Sequence, residues 1–157
     1  MKLHLGCGKR VWEGYVNIDA HSHAADLQAD IRKLPYPDEQ AEEIAAIHVF
    51  EHFWPNEAFD VLKEWHRVLK KGGKLVLELP CMDKISLMLY RNPNSTDAMH
   101  GLFGDPCSQN NVEDLHKWCW RMVDIRQILL DAGFGRVDIL EPQFHFKRRD
   151  MRVEAVK

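Results

Sequence analysis

The sequence predicts an α/β fold in which helices cover a mostly parallel sheet. Short β-like segments alternate with helical ones along the 157 residues, and this alternation is typical of parallel strands joined by helical crossovers. A chain of this length that is 45% hydrophobic can bury one substantial core but not two. We therefore expect residues 1–157 to form a single domain.

Seven strands and two main helices account for the apolar pattern. The expected strands are residues 2–5, 15–19, 26–30, 44–50, 74–79, 136–141 and 151–156. Over residues 56–69 the apolar side chains fall on one helical stripe, with Gly72 and Gly73 as the stop signal. A second stripe covers residues 122–132, before Gly133. Both stripes, including Trp65, are expected to pack against the sheet.

A glycine loop follows the first strand and leads to a strand that ends in a carboxylate. The loop is Gly6-Cys7-Gly8, and the second strand ends at Asp19. Glycines allow a ligand to approach the backbone closely, and a carboxylate at that position can accept both hydroxyl protons of a ribose. The pattern predicts a nucleoside site. Only residues 6–14 join the two strands, and a crossover usually needs about a dozen residues, so the first crossover helix should be reduced or absent.

Further along, Asp30-Ile31, the segment His48-Val-Phe-Glu-His52 and the segment Lys70-Lys-Gly-Gly73 follow in order. With these segments the chain resembles the class I S-adenosylmethionine (SAM) dependent methyltransferases, and among them the short methyltransferase type 11 proteins. The resemblance implies a Rossmann-like three-layer sandwich with a seven-stranded sheet and an antiparallel last strand. It also implies SAM as cofactor and methyl transfer (EC 2.1.1.-) to oxygen or nitrogen of a small polar acceptor.

The resemblance also assigns the cofactor contacts. Gly6, Cys7 and Gly8 would hold the methionine part of SAM, and Asp19 would bind the ribose. Asp30 and Ile31 would flank the adenine, and His48 is expected to border the cofactor. These are the cofactor-binding residues that the structure is expected to bring together.

The acceptor side is predicted from residue chemistry and from the length of one segment. Residues 92–118 are expected to form a substrate or lid loop, because their first part is rich in Asn, Ser, Pro and Gly and is long for a connector. His52, His100 and His116 are candidate bases for the acceptor's proton, since imidazole titrates near neutral pH. Phe103 and Trp118 could stack on a substrate or favour the sulfonium charge.

Metal-dependent interpretations stay open beside the metal-free one that we prefer. His48-x-x-Glu51-His52 fits the motif of inverted zinc proteases, although here it follows a strand instead of lying within a helix. Glu51 and His52 could also bind a divalent ion in a metal-assisted methyltransferase. Part of a zinc site could come from Cys107, His116 and Cys119, but the spacing suggests no fourth ligand.

Composition limits the partners. A net charge of -3 and a pI near 6.3 make nucleic acid an unlikely partner, so the expected substrate is a small molecule or a glycan. The basic residues 147–149 and Arg152 are expected on a solvated surface. No apolar run approaches the roughly 20 residues of a membrane span, which leads us to expect a cytoplasmic protein without membrane contact.

Two partner arrangements are also considered. Exposed tryptophans at Trp12, Trp54 or Trp118 could form a homodimer interface. As the alternative to catalysis, the chain could be a degenerate SAM-binding domain that serves as a partner subunit and performs no chemistry itself.

Overall fold

The computed structural model describes residues 1–105 and 115–157. Within these residues one seven-stranded sheet has the order β3-β2-β1-β4-β5-β7-β6. Strands β1 to β5 are parallel, and β7 is antiparallel to both β5 and β6. The strands are β1 Lys2–Leu5, β2 Val16–Asp19, β3 Leu27–Gln28, β4 Ala41–Ile47, β5 Leu69–Pro80, β6 Arg136–Leu140 and β7 Asp150–Val156. The predicted fold class is confirmed.

Helices flank this sheet. They are α1 Pro55–Val68, α2 Met82–Arg91, α3 Thr96–Phe103 and α4 Met122–Asp131, with a 3₁₀ helix at Phe50–His52. Helix α1 begins at a proline, which fits the first helical position, and the Glu57 carboxylate accepts the Trp54 amide at 3.0 Å. The buried stripes of α1 and α4, with Trp65 and Ile125 among them, share one apolar cluster with Leu3 and Leu75 of the sheet. This sharing places both helices on the same face.

The glycines after α1 have a different role from the predicted one. The helix ends at Val68, and β5 begins at once at Leu69, five residues before the expected start. Gly72, with φ +74°, and Gly73 lie inside β5, where the pairing with β4 shifts register. A Cβ on Gly73 would lie 2.8 Å from the Lys70 carbonyl oxygen, so the glycines allow a bulge in the strand. The expectation that they stop the helix is wrong.

Strand β4 also differs from the expected 44–50, because it runs from Ala41 to Ile47 and is followed by the 3₁₀ helix. The apolar run through Phe50 continues past the strand because Phe50 is fully buried against Trp65 and Trp120. Periodicity alone does not distinguish a buried strand end from a buried helical turn.

No helix lies between β1 and β2, where all residues are described, and this absence confirms the prediction of a reduced first crossover. The loop covers the sheet with an aromatic side chain instead. The Trp12 ring stacks on His4 at a centroid distance of 4.1 Å, and the Trp12 amide donates to Asn17 Oδ1 at 2.7 Å. The same Asn17 oxygen lies 3.1 Å from His4 Nδ1. These contacts hold the Trp12 ring against His4, so Trp12 contributes to the fold.

The sheet face opposite α1 and α4 carries buried polar groups. Glu78 is fully buried on β5 and accepts from the amides of Gln143 and Phe144 at 2.7 and 3.0 Å. Arg152 on β7 donates to Glu78 at 3.1 Å. Arg149 and Arg152 are both buried, so the expectation of a solvated surface is wrong for these two residues. Each has a carboxylate partner that compensates the loss of water.

The described part of segment 92–118 is partly helical, although a loop was expected. Ser95 caps α3, since its hydroxyl oxygen accepts the Ala98 amide at 3.3 Å, and Gly104 ends the helix with φ +86°. Two of the residues in this segment, Ser95 and Gly104, are thus helix caps. Across the described residues, none of the helices combines the length and apolarity that crossing a membrane would require.

Candidate functional site

A cavity of about 400 Å³ lies at the carboxyl ends of the parallel strands. It is formed where β1 leads into the glycine loop, where β2 and β3 end and where β4 leads into the 3₁₀ helix. Its lining includes the predicted Gly6, Gly8, Asp19, Asp30, Ile31 and His48. The volume falls in the range that holds small-molecule ligands and cofactors. We refer to it as the cofactor cavity.

The Asp19 carboxylate organises the loops of the cofactor cavity. One oxygen accepts the Gly8 amide at 2.9 Å, and the other accepts the amides of His21 and Ser22 at 2.9 and 2.8 Å. Burial alone would raise the pKa of Asp19, but these amide hydrogen bonds hold it below its ordinary value. Gly8 has φ +53°, and a Cβ there would meet no atom within 4 Å. An ionised acceptor therefore lies beside an open stretch of backbone.

The far wall of the cofactor cavity comes from the loop after β3. The Arg32 guanidinium donates to both Asp30 oxygens at 3.0 Å, and this pairing lowers the pKa of the Asp30 carboxyl. Beside it, the Ile31 carbonyl accepts the indole N–H of buried Trp65 at 2.8 Å. This hydrogen bond from α1 helps to hold the proposed adenine wall, and Ile31 also packs against the hydrophobic core.

His48 lies at the base of the cofactor cavity in an unusual environment. Its backbone has φ +55°, and its amide donates to the Glu78 carbonyl at 2.7 Å. The ring lies between two buried carboxylates, with Nδ1 2.9 Å from Glu51 and Nε2 3.2 Å from Asp150. Burial would lower its pKa, but the charges of Glu51 and Asp150 raise it to about 9. The surrounding contacts hold a backbone conformation that costs about 1 to 3 kcal/mol in non-glycine residues.

A second cavity of about 450 Å³ contains the predicted acceptor residues. Phe103, His116 and Trp118 all line it, and we call it the acceptor cavity. Lys117 lines both cavities. The ring of His52, which lines the cofactor cavity, lies 5.1 Å from the ring of His116 in an edge-to-face arrangement. The boundary between the two cavities is therefore formed by His52, His116 and Lys117.

The structure brings most of the predicted site residues together, but not all of them. Cys7 is buried under the glycine loop, and its thiol donates to the Gly8 carbonyl at 3.6 Å. It is not among the residues that line the cofactor cavity. His100 lies in α3 and does not line the acceptor cavity as described. Cys107, a candidate zinc ligand, lies outside the described residues. Trp118 and Trp54 are 44% and 51% exposed.

Several residues of the site were missed from the sequence. Asp150 is fully buried beside His48, yet it is 102 positions away in the chain. Lys117 lies between the two cavities because its amide donates to the Glu51 carbonyl at 2.8 Å. In the sequence, Lys117 was indicated only by its position between His116 and Trp118, which were both predicted site residues. The sequence shows Asp150 as an acidic residue between Arg149 and Arg152, but it does not show the pairing of Asp150 with His48.

Comparison with known families agrees with this geometry. Residues 11–77 match the family model described as a methyltransferase domain, of the type 11 family. The matched stretch includes Asp19, Asp30 and the segment from His48 to His52. No curated protein matches the chain.

Solved structures share the fold at low sequence identity. A SAM-dependent methyltransferase from Methanosarcina mazei is 20% identical with a TM-score of 0.67, covering 99% of this chain and 91% of that one. One from Archaeoglobus fulgidus is 15% identical with a TM-score of 0.68, at 99% and 85% coverage. A third match, 15% identical with a TM-score of 0.62 and 99% and 81% coverage, is to a complex that contains the Haloferax volcanii Trm112 methyltransferase activator. The domain model matches less than half of the chain, and these structures show that the chain has the fold of SAM-dependent methyltransferases.

Proposed function

We propose that this chain transfers the methyl group of SAM to an oxygen or nitrogen atom of a small polar acceptor. The observation that carries the proposal is the meeting of two cavities at His52, His116 and Lys117. One cavity has the residues expected to bind SAM, and the other has the aromatic and imidazole side chains expected to bind an acceptor. Methyl transfer requires the two ligands to meet at such a boundary.

The residues of the cofactor cavity fit SAM. Bound SAM would supply an activated methyl group on a sulfonium. The Asp19 carboxylate would accept hydrogen bonds from the ribose hydroxyls, and the open backbone at Gly8 leaves room for the methionine part. Asp30 and Ile31 would flank the adenine, with Ile31 held in place by Trp65. Phe53, which was not predicted, also lines this cavity and adds an apolar surface.

The acceptor cavity fits a small polar molecule with an apolar part. Phe103 and Trp118 offer aromatic faces, while Lys117 and Arg121 add positive charge to the lining. His52 and His116 would lie beside the acceptor atom. There a group must remove the proton of the acceptor, or stabilise the positive charge that develops on the acceptor, during transfer. Alignment of the acceptor with the methyl carbon at roughly 3 to 3.5 Å would supply much of the acceleration. His100 remains a prediction, and so does the substrate or lid role of residues 92–118.

Transfer of a labelled methyl group is the test. The purified protein, with SAM carrying a labelled methyl group, should label members of a panel of small hydroxyl and amine compounds. Replacement of His52 by alanine should lower kcat by roughly 100-fold, the lower part of the range for a positioned proton-transfer group. His23→Ala is the matched control, because His23 is exposed and lines neither cavity. Equal rates in His52→Ala and the wild type would remove His52 from the reaction.

The second candidate function is a SAM-binding subunit that requires another protein. It is favoured by the third structural match, in which a methyltransferase activator is part of the complex. Tight SAM binding by a folded protein that labels no acceptor on the panel would support this candidate. Methyl transfer by the isolated chain would argue against it.

A further inference from the structure

A cluster at the boundary of the two cavities has the composition of a metal site. One ligand atom from each of Glu51, His52 and His116 lies within 4.8 Å of the others. The Glu51 oxygen and Nε2 of His116 are 3.8 Å apart. This distance is too long for a hydrogen bond. It is close to the roughly 3.4 Å expected between two ligands of a tetrahedral ion with bonds near 2.1 Å.

The hydrogen bonds of the two histidines orient their rings for metal binding. Nδ1 of His52 lies 3.1 Å from the Leu115 carbonyl oxygen, and Nδ1 of His116 lies 3.0 Å from that of Gly101. A carbonyl oxygen can only accept, so Nδ1 must carry the proton in both rings. In the neutral imidazole Nε2 then has a free lone pair. Metal-binding histidines commonly have this arrangement, in which a backbone carbonyl fixes the tautomer of the ligand.

Glu51 provides the second, independent observation. Its carboxylate is 1% exposed, and among the described residues neither oxygen has a hydrogen-bond partner in acceptable geometry. The nearest cationic group is His48, with Nδ1 at 2.9 Å. Burial without hydrogen bonds is costly for an ionised carboxylate unless a positive charge compensates it. His48 compensates the carboxylate from one side only, and a bound cation would provide a partner for its remaining lone pairs.

A neighbouring cluster of similar composition is a poorer candidate. His48, His145 and Asp150 also bring ligand atoms within 4.8 Å of one another. However, Asp150 already accepts two hydrogen bonds from Arg149, at 2.6 and 3.0 Å, and is paired with His48. Asp150 therefore has a guanidinium in addition to the His48 imidazole, whereas among the described residues Glu51 has no guanidinium within salt-bridge distance. The adjacent guanidinium would also repel a cation at that position.

We propose that Glu51, His52 and His116 bind a divalent transition-metal cation, with Zn²⁺ as the best match. Two histidines and one glutamate are a common ligand set for catalytic zinc, and they leave a position open for another ligand. That open position would lie where the cavities meet. There the cation would bind the acceptor atom and lower its pKa, so that the two histidines act as ligands instead of free bases. Metal binding itself does not depend on the proposed function. Only the role of the cation in activating the acceptor rests on that function.

Calorimetric titration of the chelator-treated protein with Zn²⁺, without SAM, tests the proposal. The wild type should bind one equivalent tightly. His52→Ala and His116→Ala should each weaken binding by roughly 10- to 100-fold or more, since even outer partners of metal ligands contribute that much. Cobalt(II) should give the visible absorption of a tetrahedral site in the wild type but not in His52→Ala or His116→Ala. Thermal unfolding of the metal-free variants would verify that they are folded.

His145→Ala is the matched control, because it removes a histidine from the neighbouring cluster alone. It should leave zinc affinity and the cobalt spectrum unchanged. The proposal is overturned if the folded wild type binds no stoichiometric zinc. It is also overturned if His145→Ala loses the ion while His52→Ala keeps it. Because SAM is absent from the titration, a failure of metal binding and a failure of methyl transfer are observed separately.

Discussion

Replacement of Glu78 by alanine should lower the free energy of unfolding by about 3 to 5 kcal/mol, the usual loss when one partner of a buried ion pair is removed. Glu78 is fully buried and accepts from Arg152 and from the amides of Gln143 and Phe144. The variant would leave two amides without this acceptor and Arg152 with Glu154 as its remaining partner. Domains of this kind have about 5 to 15 kcal/mol of stability in total, so the loss is severe.

Urea unfolding measures this loss, and a surface ion pair provides the control. Glu141 is paired with Lys84 at 3.1 Å but is 67% exposed. Glu141→Ala should change the free energy of unfolding by less than about 1 kcal/mol, because water screens such pairs. Equal effects of the two substitutions would contradict our account of the polar sheet face. Glu78→Gln, which keeps the shape and one acceptor oxygen, should fall between them.

Trp65→Ala should have a comparable effect on stability, about 3 to 5 kcal/mol, because a large buried aromatic side chain leaves a cavity that the core cannot fill. Trp65 is fully buried between Phe50 and Phe53, with ring centroids at 6.0 and 6.3 Å. Its indole N–H also holds the Ile31 carbonyl of the cofactor cavity. We therefore expect SAM affinity to decrease as well.

Trp65→Phe separates the two roles of this side chain. Phenylalanine keeps much of the packing but cannot donate to Ile31. Its loss of stability should be smaller than that of alanine, while the missing hydrogen bond should weaken SAM binding by up to about 1 kcal/mol. Urea unfolding and SAM titration of both variants check this. If Trp65→Phe bound SAM as tightly as the wild type, the link between α1 and the adenine wall would be disproved.

The approximate positions of the strands and the reduced first crossover were predictable because they depend on local patterns. Apolar segments, the nine residues between the first two strands and the Asp19 position all lie close together in the chain. The buried polar network was not predictable in the same way. Arg149 looked like part of a surface cluster, since the sequence does not show that Asp150 pairs with His48 102 positions away. Burial of charge depends on contacts across the sheet, which periodicity does not reveal.

The residues that line the cofactor cavity were predicted more completely than those that line the acceptor cavity, for a physical reason. Loops at the ends of adjacent parallel strands must meet, so Gly8 and Asp19 could be paired from the sequence. The acceptor cavity depends instead on how the chain after β5 returns to the 3₁₀ helix. The contact of the Lys117 amide with the Glu51 carbonyl fixes that return, and no short motif encodes it. Gly72 and Gly73 were wrongly predicted to stop a helix, because a strand bulge and a helix stop both favour glycine.

Calorimetric titration with SAM and with S-adenosylhomocysteine, in the wild type and in Asp19→Ala, is the most direct test of the central claim that the cavity beside Asp19 binds the cofactor. We predict that the wild type binds one equivalent of each ligand. The loss of the charged acceptor should weaken binding by about 1.5 to 3 kcal/mol in Asp19→Ala, or roughly 10- to 150-fold. A folded wild-type protein that binds neither ligand, or a variant with unchanged affinity, would contradict the account.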